Sequence, residues 1–271
     1  MSTLPWPLDR QLAVLGAAVS LVMTLGWLWQ RRHANAGIVD VLWSAGLALA
    51  AVLVAVTGAG ARLPRLAVGV LGAAWALRLA LHLWQRVHGE PEDGRYRQLR
   101  AHWQGHQGKF FLFFQMQALL VLLFALPFAA VAASPVDEVT SWFVLAIVLW
   151  CGAVYGEWLA DRQLARFRAN PAHRGRTCRS GLWRYSRHPN YFFEWLHWLT
   201  YVALAIGSPL WELALLGPLV MYAFLRWISG IPFTEAQALR TRGEDYRDYQ
   251  RRTSMLFPWF PHTPDNARKD P

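Results

Sequence analysis

The chain has 271 residues, 55% of them hydrophobic, and a formal net charge of +10. Its uninterrupted apolar runs exclude a soluble two-domain protein and fit one membrane domain covering 1–271. Its two cysteines, Cys151 in an apolar run and Cys178 in a basic loop, exclude a disulfide framework.

Apolar runs of about 20 residues predict an all-α bundle of seven transmembrane helices, over roughly 11–29, 37–57, 66–85, 110–133, 141–160, 191–207 and 209–229. Pro127 and Pro218 are expected to bend the fourth and seventh. Only Ser208 and Pro209 join the last two, which predicts a tight hairpin. No charged n-region and small-residue cleavage site precede the first helix, so no removable signal peptide is expected. Residues 262–271 read as a flexible tail.

Orientation follows from the 27 arginines and lysines. One side holds Arg31 and Arg32, five residues from Arg86 to Lys109, eight between Asp161 and Asn190, and eight from Arg226 onward. The other side holds only Arg10, Arg62 and Arg65, and Arg78 lies inside the third helix. This asymmetry places the N-terminus outside and the C-terminus in the cytoplasm, as an odd number of spans requires. The basic charge suits nucleic acid, anionic lipid or a phosphorylated cofactor. Its placement has to decide among them; membrane lipids and a cofactor are the expected partners, and nucleic acid is not.

The polar residues inside the apolar runs all fall in the cytoplasmic half. Asp40 lies a turn into the second helix, His82 and Arg78 near the end of the third, Glu157 and Asp161 at the end of the fifth, and Glu194 at the start of the sixth. Ionisable groups in lipid are expensive, and convergence on one leaflet reads as a cavity open to the cytosol. Glu157, Asp161 and Arg168 align on one face if the helix continues past the membrane, a face able to bind the ribose and amide of a nucleotide; a helix-end ion pair would use the same residues. A buried Arg78–Asp40 pair would be architectural, and His82 suits either a catalytic role or a structural one. His102 and His106 stand four apart, but Gly105 lies between them and no third ligand is near, so no metal site is expected. There is no P-loop and no strand-borne G-x-G-x-x-G.

The basic loop holds eight arginines and no lysine: Arg162, Arg166, Arg168, Arg174, Arg176, Arg179, Arg184 and Arg187. Guanidinium forks bind phosphate bidentately, so this composition points to a phosphate-rich ligand. The loop runs into R-H-P-N-Y, Arg187 to Tyr191, with Glu194 one turn later on the same stripe as Tyr191, Trp198 and Tyr201.

Leu182-Trp183, Arg187-His188-Pro189-Asn190-Tyr191 and Glu194 resemble the C-terminal domain of the steroid 5-alpha-reductase superfamily, most closely its bacterial branch of uncharacterised membrane proteins. Asp40 with Trp43, Glu92-Asp93 with Arg95-Tyr96, and Ser229-Gly230-Ile231-Pro232 through Glu235, Tyr246, Tyr249 and Pro258 extend the resemblance over about 35–261. It implies an enzyme binding NADPH from the cytosol through its 157–261 part and reducing a carbon–carbon double bond in a lipid or steroid-like substrate. By position, Asp161, Arg168, Arg176, Asn190 and Glu194 match cofactor-contacting residues. Glu157 stands where the steroid enzymes carry Asn, and Trp183, Arg187, His188, Tyr191, Glu235, Tyr246 and Tyr249 join the expected cofactor set. The Gln-Glu pair of the steroid enzymes' second helix and the tyrosine of their third are missing. Asp40 and His82 are the nearest catalytic candidates, with Leu83 at the place of the tyrosine, and Phe193 replaces a frequent glycine. R-H-P-x-Y alone is shared with isoprenylcysteine carboxyl methyltransferases, so an S-adenosylmethionine-dependent lipid or prenyl-protein methyltransferase is the alternative. A non-enzymatic lipid-binding scaffold is the third reading. The expected setting is a bacterial inner membrane.

Overall fold

A computed structural model describes residues 5–262, so most of the expected C-terminal tail lies outside the described residues. The described residues contain α-helices, short 3-10 turns and one π-turn, and no strand. Six helical segments are long and apolar enough to cross a membrane. The chain divides into two compact units, Met1–Val144 with Tyr201–Gly217, and Leu145–Thr200 with Pro218–Pro271.

The first unit is built on α1 (Leu8–His33), α2 (Ile38–Thr57), α3 (Arg62–Gly89), the short α4 (Gly94–His102) and α5 (Gln107–Ala132). α2 packs against α1, α3 and α5. Small residues let it approach them closely: a Cβ on Gly69 or Gly72 would stand 2.8 Å from Ala55 or Ala51 across the α2–α3 seam. Such seams suit helices in lipid, where dispersion and hydrogen bonds replace the hydrophobic drive. The α1–α5 seam adds polar bonds: Ser20 Oγ donates to Gln115 Oε1 at 2.6 Å, and Gln30 Nε2 to Gln107 Oε1 at 2.8 Å. Pro127 sits inside α5 without ending it.

The second unit contains α6 (Ser141–Ala169) from Leu145 on, the 3-10 turns Pro171–His173 and Gly181–Arg184, and most of α7 (Pro189–Leu204). α8 (Trp211–Ala214) belongs to the first unit and α9 (Leu216–Ala223) leads back into the second, where a π-turn, Phe224–Ile228, precedes α10 (Ile231–Arg242) and α11 (Glu244–Arg252). α6 continues well past 160, as the shared face of Glu157, Asp161 and Arg168 requires. The expected helix 191–207 is α7, 16 residues long and closed at Leu204 rather than 207. The turn after it includes Gly207 at φ +89°, and Ser208 Oγ donates to Ala130 O at 2.6 Å. The expected helix 209–229 is broken into α8, α9 and the π-turn. Helices α4, α10 and α11 have no counterpart among the predicted spans, because their buried residues are few: Tyr96 alone in α4, and Tyr246 and Tyr249 in α11.

Candidate functional site

In the second unit the R-H-P-N-Y segment is held by side chains far along the chain. Gly181, at φ +61°, opens the 3-10 turn before it, and a Cβ there would stand 2.5 Å from the Gln163 amide. That close approach lets Gln163 Oε1 accept from the Leu182 backbone N–H at 2.9 Å. Trp183 is buried and donates Nε1–H to Ala160 O on α6 at 2.9 Å. Tyr249 of α11 donates its hydroxyl to Trp183 O, and lies 3.1 Å from Ser186 O. Ser186 Oγ donates to Leu256 O at 2.8 Å and accepts from the His188 N–H at 3.1 Å, just ahead of Pro189, which opens α7 where its missing N–H costs nothing.

Glu235 of α10 is the hub of this region. Its Oε1 accepts from Arg187 Nε at 2.7 Å and lies 3.3 Å from His188 Nε2 and 3.4 Å from the Tyr246 hydroxyl, while Oε2 accepts from Gln250 Nε2 at 2.8 Å. Arg187 also donates Nη1–H to the carbonyls of Gln250 and Thr253 at 3.0 and 2.7 Å. Burial holds His188 below its ordinary value, against the pull of Glu235, so the ring is neutral at pH 7 and offers Nε2–H to the carboxylate. Burial likewise raises the hydroxyl pKa of Tyr246 and Tyr249, which keep their protons and act as donors. Trp183, Arg187, His188, Glu235, Tyr246 and Tyr249, expected as cofactor contacts, therefore spend polar groups on one another and on the backbone. They pin the loop to α10 and α11.

Other expected residues of this unit are placed differently. Asn190 donates Nδ2–H to Asp161 Oδ1 at 3.2 Å, joining the start of α7 to α6. The Tyr191 ring stacks on His188 at 5.4 Å, and its hydroxyl lies 3.2 Å from Thr234 Oγ1. Glu157 is buried on α6 and Glu194 half-buried on α7. Of the eight arginines of the segment, two make ion pairs: Arg187 with Glu235, and Arg179 with Asp245 at 2.9 Å and Asp248 at 2.7 Å. Arg162 lies over the Trp158 ring and Arg184 over that of Tyr185. Arg166, Arg168, Arg174 and Arg176 are exposed and have no carboxylate partner among the described residues.

The first unit holds its own polar centre. A cavity of about 400 Å³ is bordered by Asn35, Asp40, Leu83, Arg86, Asp93 and Tyr96, among others. Asp40 accepts from the Tyr96 hydroxyl at 2.6 Å and from Arg95 Nη2 at 3.1 Å, so the ion-pair partner anticipated in Arg78 is Arg95. Burial, and then the Asp40 charge, push the Tyr96 pKa well up. Burial also works to raise that of Asp93, but the Arg95 charge and N–H outweigh it and leave it lowered. His82 is exposed on α3, whereas Leu83, about 100° further round the helix, borders the cavity. Asp40 so placed is a hydrogen-bond acceptor, and His82 has no place at the cavity. His102 closes α4 and His106 caps α5, accepting from the Lys109 N–H at 3.4 Å.

Sequence reasoning missed Gln163, Ser186 and Gln250, which hold the loop, and treated Arg95 and Tyr96 only as part of a resemblance. One local signal was available: Asp93 before Gly94-Arg95-Tyr96 is an N-cap pattern, and Asp93 Oδ1 accepts from the Arg95 N–H at 2.8 Å.

The apolar helices and the arginine-rich loop define a class: an all-helical protein with the helices of a multi-pass membrane protein and a basic loop held to α6, α10 and α11. Residues 26–253 match the model of a family described as protein of unknown function (DUF1295), and the chain belongs to that family. No curated protein matches it, and no solved structure does.

Proposed function

We propose that this chain is a membrane-embedded, NADPH-dependent reductase of a carbon–carbon double bond in an enone-like lipid or steroid-like substrate, related to the steroid 5-alpha-reductases. In this reading α7, the sixth expected span, also crosses the membrane and brings the count to seven, the N-terminus lies outside and the C-terminus in the cytoplasm of a bacterial inner membrane. The observation that carries the reading is the uneven use of arginine. Arg179 and Arg187 are consumed by carboxylates, while Arg166, Arg168, Arg174 and Arg176 of the same segment are left uncompensated. Unpaired guanidiniums beside a rigidly held loop fit a phosphate-bearing ligand, and they have no use for a sulfonium cofactor without phosphates.

The dinucleotide supplies a hydride when bound. Arg168 and Arg176 hold its phosphates. The Asp161–Asn190 pair, with Glu157 and Glu194, offers hydrogen-bonding groups for ribose and carboxamide. Arg187, His188, Trp183, Glu235, Tyr246 and Tyr249 keep that surface in place. In the first unit the cavity beside Asp40 has room for the polar end of a lipid, and Tyr96 carries the retained proton next to that carboxylate.

Melting the purified protein with NADPH, NADH or S-adenosylmethionine tests the reading, because a ligand that binds the native state raises Tm. NADPH is expected to raise it most. A rise with S-adenosylmethionine alone would make the chain a methyltransferase, and no rise with any of the three would leave a lipid-binding scaffold.

A further inference from the structure

After α11 the chain turns back along Tyr185–Arg187 as an extended strap, 253–262. Backbone bonds fix its course: the Arg187 N–H donates to Ser254 O at 2.8 Å and the Trp259 N–H to Tyr185 O at 2.9 Å. Leu256 is buried and forms the inner side of the strap. The outer side is apolar: Phe257, Trp259 and Phe260 are 45%, 66% and 74% exposed. These rings continue onto the helices. Phe257 lies 5.2 Å from the Trp195 ring of α7 and 6.1 Å from Tyr222 of α9, and Tyr222 meets Trp227 of the π-turn at 5.6 Å. Trp227 and Ile228 are exposed as well, and at the other end Phe260 meets the Tyr185 ring at 5.9 Å. The result is one exposed aromatic ridge from Tyr185 to Ile228. Arg184 and Arg226 edge it, and neither has a carboxylate partner among the described residues.

We propose that this ridge is a membrane-surface anchor: Trp259 and Phe260 lie in the headgroup layer of the bilayer, where Arg184 and Arg226 bind the phosphates of anionic lipids. Contiguous apolar surface is costly in water and marks a contact. Two observations name lipid as the occupant. Trp227 and Ile228 belong to Trp211–Arg242, one of the segments apolar enough to cross a membrane, so the ridge continues a membrane helix without a break. Its margin is cationic, and the counterpart of arginine at a bilayer surface is the headgroup phosphate. Tryptophan favours the same depth, because its ring is apolar and its N–H needs water or a headgroup oxygen. Tyr185 and Arg187 are bonded to the same strap, so lipid contact at Trp259 and Phe260 also braces the R-H-P-N-Y segment. The anchor is the same whichever cofactor the chain takes.

The test uses the full chain in nanodiscs of phosphatidylcholine and phosphatidylglycerol, with a spin label at Phe260→Cys in a Cys151→Ser background; Cys178 is buried. Power saturation should find this label more accessible to oxygen than to a water-soluble nickel chelate. The same label at Arg247→Cys, an exposed position of α11, should show the reverse. A label at 260 that nickel reaches as readily as at 247 would overturn the anchor. Spin–spin broadening between two copies would sink it too, by making the ridge a dimer contact. Omitting phosphatidylglycerol should raise nickel access at 260, and Arg184→Gln with Arg226→Gln should abolish that lipid dependence. A dependence that survives both changes would remove the arginines from the site. By hydrogen exchange in the same nanodiscs, Trp259→Ser with Phe260→Ser should speed exchange of the Arg187 amide about tenfold, ~1.4 kcal/mol of lost protection. Unchanged exchange at that amide would refute the bracing of the loop.

Discussion

At the scale of single residues, charge and burial set two outcomes. Glu194 is half-buried in the second turn of α7, beyond Asn190 and Tyr191. If it accepts a hydrogen bond from the nicotinamide carboxamide, Glu194→Gln should stay folded and lose about 10- to 150-fold in NADPH affinity, the ~1.5–3 kcal/mol of a bond to a charged partner. Calorimetry on the folded variant checks this, and unchanged affinity with a lowered Tm would make Glu194 structural. His188 gives a pH signature. Burial lowers its pKa from 6.5 in the folded protein, so the unfolded chain takes up the proton first. The stability it contributes is complete above about pH 6.5 and is lost as pH falls below it. Asp248, bonded to Arg179 and Arg252, titrates at about 2, so its own loss comes later, below its ordinary 3.8. Melting temperature against pH should therefore fall in two stages, and His188→Gln should remove the first and keep the second.

At the scale of elements, the α6–α7 contact sets a glycine against a large ring: a Cβ on Gly156 of α6 would stand 2.3 Å from the Phe193 ring. Gly156→Ala should therefore overpack the contact and cost about 1–3 kcal/mol of stability. Adding Phe193→Leu should return much of that loss, a coupling that a double-mutant cycle in thermal or denaturant unfolding would read. Additive losses would mean that the two helices do not meet through this pair. The α10–α11 pair follows a different logic. It has a small apolar centre of Ala238, Leu239, Tyr246 and Tyr249, and it holds the loop through Glu235, which the Tyr246 hydroxyl braces, and through the Tyr249 hydroxyl. α11 reads as polar from end to end, GEDYRDYQRR including its cap, and only the three-residue spacing of Tyr246 and Tyr249 hints at a buried face.

At the scale of the whole molecule, the arginine asymmetry carries a topology prediction. A reporter that works only in the cytoplasm, fused to the C-terminus, should be active, and one fused to the N-terminus should be silent. The reverse pattern would remove the rationale for placing the arginine loop with a cytosolic dinucleotide. The sequence by itself determined the all-helical class and the position of the first five long apolar helices, but not the last two of the seven expected. Hydrocarbon demands about 20 consecutive apolar residues with internally satisfied backbone, and that demand is written locally in the chain. It also marked the segment from Asp161 to Glu194, because arginine, asparagine and carboxylate at helix ends are costly without a use. Only the tertiary structure decided which of these residues are scaffold and which are left open. Arg187 meets Glu235 across 48 positions, and Asp40 meets Arg95 across 55, distances at which chain spacing says nothing about pairing.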